Sequence, residues 1–473
     1  MQISKTDFLH FLRCPNSFWL EKRRPEIYPH GEFTAYAQKL AAEGYEVEAQ
    51  LRVLLEAQPE SDSWSFQSEF RTERGLYARV DALRSNADGT VDLCEVKSST
   101  SVKRDARHNQ VKDAAFQVIA AEDAGSTVSR VFIVHLNGGY VRAGNVDPEA
   151  LLVFADVTDE VREIEEATRD EVDEALAHLA QPVIDESHCS CLEKGRANHC
   201  DAFVYFNREL PSPSIYDLPR ISSAKLKKFV AEGRFGHNGI GLDEVTAAQT
   251  RVLRAAQAGA SQIDHDAIAS FYSKARYPLY FLDYETYSSA IPLIDGARPQ
   301  SPIPFQFSLH LKRTPDDDEL LHAEYLAEEP VLPRILVECL AQEIGPEGSV
   351  VSWHSSFENT QNRAMAELFP DLSDFLHSLI ERALDLEDLF KDGYVDIAFG
   401  GSTSIKKVLP VLAPDLTYEG MAVASGTDAM EAWARLISMA DGPEKDQLRT
   451  EMLEYCKLDT YAMVRIFEGM ERL

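Results

Sequence analysis

Residues 80–98 read VDALRSNADGTVDLCEVKS. A β-rich run ends at Leu83, Asp88-Gly89 supplies a reversal, and Val91 to Lys97 runs back, which predicts a β-hairpin. Folding about that reversal sets Asp81 opposite Glu95. Side chains alternate along a strand, so Glu95 and Lys97 share one face while Val96 turns to the core. One Asp, one Glu and one Lys then converge. Two carboxylates can hold Mg²⁺ beside a phosphodiester, and an ammonium can orient the attacking water or stabilise charge on the phosphate. The competing reading makes Asp81, Glu95 and Lys97 an exposed polar strand face, because Asp-x13-Glu-x-Lys is a common spacing.

Outward from the hairpin, SKTDFLHFLRC near the start predicts a helix with Phe8, Leu9, Phe11 and Leu12 on one side and Ser4 or Thr6 as its cap, ending at Cys14-Pro15. A second helix is expected over 35–57, and a helix over 106–124 contains Gln117. The run RVFIVHLNGGYVRAG predicts a strand pair turning at Gly138-Gly139, and 156–179 an acidic surface helix. Strands flanked by helices predict an α/β core.

The segment HCSCLEKGRANHC holds Cys189, Cys191 and Cys200, which with Cys14 make four thiolates, the complement of a [4Fe-4S] cluster. Such a site would close a loop of roughly 175 residues and act as a staple. A zinc site of the same cysteines, or with His188 or His199 substituting, is the alternative. Cys94, Cys339 and Cys456 sit among apolar neighbours and read as small core residues.

At 473 residues and 44% hydrophobic content the chain can bury large cores in two or three domains. No apolar run reaches about 18 residues and no basic-then-apolar leader opens the chain, so a cytoplasmic protein without a membrane role is expected. Seven cysteines, an odd number, suit intracellular ligation better than a disulfide scaffold. Excess acid, a formal net charge of -31, argues against a globally basic nucleic-acid binder without excluding a nuclease that works through metal ions. Local clusters remain at Lys103, Arg104, Arg107, His108 and Lys112, at Lys225, Lys227, Lys228 and Arg234, and at Lys406 and Lys407; each also reads as a solvated face.

RELPSPSIYDLP marks a boundary, and 207–275 reads as a helical connector. A strand then begins in YPLYFLDYETYSS, with Asp283 and Glu285 two apart on one face. Two such acids can grip two divalent cations about 4 Å apart. EMLEYCKLDTYAMVRIFEGM predicts a closing helix with Tyr455 and Asp459 four apart on one face. Between them VVSWHSSFENTQNRAMAELF runs from strand to helix with Glu358 at the junction; Asp385 or Asp388 is the alternative acid, and His354 reads as a capping or core residue.

The pieces ISKTDFLHFLRCP, VDAL…CEVKSS and DAAFQVIAAEDAG resemble the PD-(D/E)XK nucleases of the RecB type, and among them the iron–sulfur branch that includes AddB-like and CRISPR-adaptation exonucleases. That resemblance implies a role for Gln117 against Lys97, an acid from the early helix at Glu46 or Glu48, and a [4Fe-4S] cluster on one early and three late cysteines. The chain departs from it in having Cys-x-Cys where Cys-x-x-Cys is usual. The later motifs, Asp283 with Glu285, Glu358, then Tyr455 with Asp459, resemble the DEDDy subclass of DnaQ-like, RNase H-fold exonucleases, with Glu358 standing where that family has Asp. GGSTSIKKVLPVL is similar to a segment that precedes the last of these motifs.

Together the resemblances imply an α/β protein with a PD-(D/E)XK restriction-endonuclease-like domain over 1–206, a connector over 207–275 and an RNase H-like domain over 276–473. They imply a Mg²⁺- or Mn²⁺-dependent nuclease, exonucleolytic on DNA ends or single strands, in DNA repair, recombination or defence. Two alternatives stand beside it: an exoribonuclease using only the C-terminal site, and a catalytically silent cluster-bearing scaffold on nucleic acid.

Overall fold

Ser4 starts the first helix with a capping box: its Oγ accepts from Asp7 N at 3.2 Å while the Asp7 carboxylate accepts from Ser4 N at 2.8 Å. The helix Lys5–Arg13 buries Phe8 and Phe11 but leaves Leu12 exposed. At Cys14 the backbone turns extended, and Pro15 begins a second helix, Pro15–Arg23, which the sequence reading had not anticipated. Proline at a first helical position sacrifices no hydrogen bond, so Cys14-Pro15 is a junction and not a stop.

The structure is a computed structural model and describes residues 2–31, 35–105, 108–317 and 319–472. The chain is mixed α/β and divides into two units, Met1–Glu209 with Ser289–Ser301, and Leu210–Ser288 with Pro302–Leu473. Most of the segment 207–275, expected as a separate connector, therefore belongs to the second unit.

In the first unit β1 (Ile3–Ser4), β2 (Trp64–Arg71), β3 (Leu76–Ser85), β4 (Val91–Val96), β5 (Val128–Leu136) and β6 (Leu152–Asp156) form one sheet in the order β1-β3-β4-β5-β6, with β2 added to β3. The hairpin β3–β4 is antiparallel with Ala82 opposite Cys94, which sets Asp81 across from Glu95. Gly89, at φ +84°, occupies the turn, and Asp88 accepts from Thr90 N at 3.0 Å. β4 and β5 are parallel, and the helix Gln110–Asp123 makes the crossover. Its start is Asn109, whose side chain accepts from Lys112 N; the expected start at Ala106, like the basic residue Arg107, lies outside the described residues. Ala114, Ala115, Val118 and Ala121 let this helix pack close on Val80, Leu93 and Ile133.

Two expectations here are corrected. β5 does not pair with Tyr140–Gly144: Asn137 caps a turn, Tyr140 buries its ring, and the antiparallel partner is β6, Phe132 opposite Asp156. The acidic helix, Thr158–Ala180, is only half a surface element, since Val161, Thr168, Val172, Ala175 and Leu179 are buried.

In the second unit, β7 (Gln262–Ile263) is followed by β8 (Leu279–Tyr287), β9 (Ile303–Lys312), β10 (Leu321–Leu326), β11 (Ser349–Ser352), β12 (Ala383–Asp385) and β13 (Tyr394–Val395). Five of them form a sheet in the order β10-β9-β8-β11-β12, antiparallel from β10 to β8 and parallel from β8 to β12; β7 pairs with β13. β8 is covered on both faces. Leu279 and Phe281 pack with Val351, Met463 and Phe467, while Tyr280, Leu282 and Tyr284 pack with Leu336 and Met365. Burial on both sides explains why this strand reads as an unbroken apolar run up to Asp283. Gly348, at φ +94°, lets the chain enter β11 against Pro278, whose carbonyl oxygen would lie 2.1 Å from any Cβ there. The helix Pro443–Glu471 lies against β8 and β9. Among the described residues no helix is long and apolar enough to cross a membrane.

Candidate functional site

In the first unit β3, β4 and the helix Gln110–Asp123 bring Asp81, Glu95, Lys97 and Gln117 together. Lys97 Nζ lies 2.7 Å from Glu95 Oε1, and Gln117 Nε2 donates to Glu95 Oε2 at 2.5 Å. Val96 N donates to Asp81 Oδ2 at 2.8 Å. The alternative of an exposed strand face fails for Glu95, which is 1% exposed. Two residues that the sequence did not flag complete the set. Lys5 Nζ reaches Glu95 Oε1 at 2.5 Å, and Asp113 bonds Lys97 and stands 3.8 Å from Lys5. Two ammoniums thus face two buried carboxylates.

The charges respond accordingly. Burial pushes the Glu95 carboxyl up, but Lys97 and Lys5 outweigh it and hold the group below the usual range. Asp81 forms no ion pair among the described residues: burial first, then the charge on Glu95, push it up to about 8 against the weaker pull of Lys5. Of the two early-helix candidates, Glu48 faces this cluster. Gln67 donates to it at 2.8 Å and to Asp81 at 3.4 Å, and burial with the Glu95 charge raises its carboxyl. Glu46 feels Glu43 and Lys39 instead.

Cys14, Cys189, Cys191 and Cys200 form a second cluster, all buried, with sulfurs within 4.8 Å of one another and Cys189 to Cys200 at 4.0 Å. This set can bind a metal. His188 is exposed on Ser187, and His199 Nε2 is bonded to Lys194 O at 2.9 Å, so neither histidine is part of it. The segment is held to the first helices by Arg13 on His199 O at 2.5 Å and Asn16 on His188 O at 2.9 Å.

In the second unit Asp283 and Glu285 leave β8 toward the C-terminal helix, where Tyr455 and Asp459 stand one turn apart, and Glu358 enters from the first turn of the helix Ser356–Leu368. Glu285, Glu358 and Asp459 are 7%, 4% and 9% exposed. Among the described residues no lysine or arginine pairs with any of the four carboxylates, and Glu358 Oε2 is buried without a partner. Burial, with Asp459 next, pushes Asp283 far up; burial and Asp283 do the same to Glu285 and Glu358. Asp459 rises only to about 6, because Tyr418 and Tyr455 donate to it and offset its burial. Tyr418 Oη is 2.5 Å from Asp459 Oδ1. Lys406 lies 5.5 Å and 5.9 Å from the centres of the Tyr418 and Tyr455 rings. Tyr418, Lys406 and Cys456 were missed as site residues. Cys456 is buried as expected, but its sulfur is 3.7 Å from Asp283 Oδ2 and not merely core.

Asp385 and Asp388, the alternative acids, stand apart from that set. Asp385 and Glu387 gather His354 and Lys391: His354 Nδ1 is 2.9 Å and Lys391 Nζ 2.9 Å from Glu387 Oε2, and Lys391 reaches Asp388 at 3.0 Å. His354 is exposed, at φ +64°, and so is neither a core residue nor a helix cap. Within the basic clusters Arg104 pairs with Glu160, Lys112 with Glu171, and Lys228 and Arg234 with Glu244.

Residues 280–404 match a family model described as a domain of unknown function, DUF2779, a span that includes Asp283, Glu285 and Glu358 but ends before Tyr455 and Asp459. The chain is 28% identical over 214 residues to Uncharacterized protein MG366 of Mycoplasma genitalium, covering 41% of this chain and 32% of that protein. It is 29% identical over 216 residues to the MG366 homolog of Mycoplasma pneumoniae, covering 42% and 32%. The chain thus spans about a third of the length of these curated relatives. The crystal structure of SSO0001 aligns with 38% of this chain and 85% of its own at 15% identity and a TM-score of 0.22, too loose a likeness to bear on the fold.

Proposed function

We propose that the chain is a metal-dependent nuclease that hydrolyses phosphodiester bonds, working from DNA ends or single strands. In this reading the first unit is a RecB-type PD-(D/E)XK domain and the second a DnaQ-like, DEDDy-type domain of RNase H-like fold. The observation that supports it best is the set Asp283, Glu285, Glu358 and Asp459: four acids gathered out of water with no salt bridge to them among the described residues, opposed by the more distant charge of Lys406. Such a group is strongly unfavourable alone, and divalent cations are the counter-charge that suits an all-carboxylate pocket. Mg²⁺ or Mn²⁺ held there would polarise water and neutralise charge on the phosphate. Asp283, Glu285 and Asp459 would serve as ligands, with Glu358 as a further acid of the set. The Tyr455 phenol, whose proton is held more tightly by burial and by Asp459, would donate a hydrogen bond to that carboxylate.

The first unit fits a cation less directly. Glu95 Oε1 already meets two ammoniums and Oε2 meets Gln117, so a Mg²⁺ ion on Asp81 and Glu95 requires one lysine to leave. That contrast supports a second reading, in which only the C-terminal site turns over and the first unit grips substrate; an exoribonuclease would then be the natural form.

For the four cysteines the resemblance favours a [4Fe-4S] cluster. The 4.0 Å sulfur separation instead suits a single zinc, since bonds of about 2.3 Å in a tetrahedron put thiolates ~3.8 Å apart, and four sulfurs all within 4.8 Å are too close to sit on four separate irons. Its part would be structural, joining the first helices to the segment 189–200.

Glu95→Ala, Asp283→Ala and the double variant, assayed on end-labelled DNA and RNA with Mg²⁺ or Mn²⁺, separate these readings. Loss in both single variants on DNA supports two working sites. Loss only in Asp283→Ala, on RNA, favours the second reading, and an inert wild type on every substrate sinks the proposal.

A further inference from the structure

Cys456 lies on the C-terminal helix three residues before Asp459, a spacing that puts both side chains on one helical face. That face is turned to β8. The sulfur is fully buried, and with one oxygen each of Asp283 and Glu285 it forms a set of ligand atoms all within 4.8 Å. Around one zinc, bonds of about 2.3 Å to sulfur and about 2.1 Å to oxygen at a tetrahedral angle hold S and O ~3.6 Å apart. The separation between Cys456 Sγ and Asp283 Oδ2 is 3.7 Å. A second observation points the same way. Glu358, on the first turn of the helix Ser356–Leu368 and 4% exposed, has an Oε2 with no hydrogen-bond partner.

We propose that Cys456 is a metal ligand, so that one cation position in the C-terminal centre takes a borderline-soft divalent ion of the zinc class and not Mg²⁺ alone. The inference rests on the reading of Asp283 and Glu285 as ligands and adds to it the identity of the ion. Carboxylates by themselves suit Mg²⁺ and Mn²⁺, whereas a thiolate selects zinc-like metals. Binding replaces the S–H bond with an S–metal bond, and the displaced proton leaves to solvent. A thiol that only donated a hydrogen bond to Asp283 would be replaced by a serine hydroxyl without changing the choice of metal.

The test uses the full chain with the four-cysteine set intact in every variant, and compares wild type with Cys456→Ser, Cys456→Ala and Asp283→Asn by calorimetric titration with Zn²⁺ and with Mn²⁺, each shown folded by circular dichroism. Wild type is expected to bind one Zn²⁺ more than Asp283→Asn. Cys456→Ser and Cys456→Ala should weaken that Zn²⁺ roughly tenfold to hundredfold while Mn²⁺ affinity stays within about twofold. Wild type should also release one more proton per Zn²⁺ than Cys456→Ser, read from the buffer dependence of the heat. Equal Zn²⁺ affinity in wild type and Cys456→Ser, or an equal weakening of both metals, overturns the role of Cys456 while leaving the carboxylate site standing. If Asp283→Asn leaves both metal counts unchanged, the centre itself is absent and this inference falls with it.

Discussion

Lys5 Nζ stands 2.5 Å from Oε1 of Glu95, so a residue in the first turn of the first helix neutralises a carboxylate at the end of β4 that Lys97 already bonds. The two candidate centres therefore differ in kind. In one, lysines of the chain pair with the acids, and in the other no salt bridge to the acids is found among the described residues.

Removing Lys5 leaves Glu95 with Lys97 alone. Because the lysines hold the Glu95 carboxyl below its ordinary value, the pairing contributes stability above the unfolded Glu value of about 4.3 and loses it as the pH falls below that. Lys5→Met is expected to lower stability by about 1–3 kcal/mol at pH 7. Urea melts at neutral pH and near pH 3 check this: the gap to wild type should narrow as the pH falls below about 4.3, and a constant gap would make the loss one of packing.

Tyr418 donates to Asp459 at 2.5 Å, and a hydrogen bond to a charged group contributes about 1.5–3 kcal/mol. If Asp459 must be ionised to work, Tyr418→Phe should slow turnover roughly tenfold to hundredfold. It should also move the acid limb of the pH–rate profile upward, because one of the two donors offsetting the burial of Asp459 is gone. A slowed enzyme with an unmoved profile would assign Tyr418 to substrate and not to Asp459.

His310 bonds Thr460 at 2.8 Å in the interior of the second unit, and burial, followed by the neighbouring His322, pushes its imidazole down to about 3. A histidine kept neutral in the fold contributes stability above its unfolded value of about 6.5 and loses it as the pH falls toward the folded value. Thermal melts between pH 7 and pH 4 should therefore fall steadily in wild type. His310→Gln, which keeps a polar group without its proton, is expected to flatten that slope; an unchanged slope would place the acid sensitivity elsewhere.

Cys191→Ser removes one of four clustered sulfurs. Metal analysis of anaerobically purified protein should find the site loaded in wild type and depleted in the variant, with a lower melting temperature. Iron with broad visible absorbance would identify a cluster, and one zinc in a colourless protein the tetrahedral ion. Equal metal content in both proteins would remove Cys191 from the site.

Much of the fold was legible locally. The turn at Asp88-Gly89, the cap at Ser4 and the apolar run before Asp283 each report their own element, because strand alternation, caps and turns depend on neighbours a few residues away. Where the reading failed, distant groups decided. Pro15 looked like a stop but starts a helix that packs under the acidic one, and Tyr140 left the expected strand because its ring found a buried place.

The sequence by itself determined which residues share a strand face or a helical face: Glu95 with Lys97, Asp283 with Glu285, Tyr455 with Asp459. Only the tertiary structure decided that Lys5 and Asp113 close a neutral network around Glu95, and that Cys456 joins acids that form no salt bridge among the described residues. The reason is that charge balance in a buried pocket depends on which long-range neighbours share the same low-dielectric space, and periodicity along a chain carries no record of that meeting.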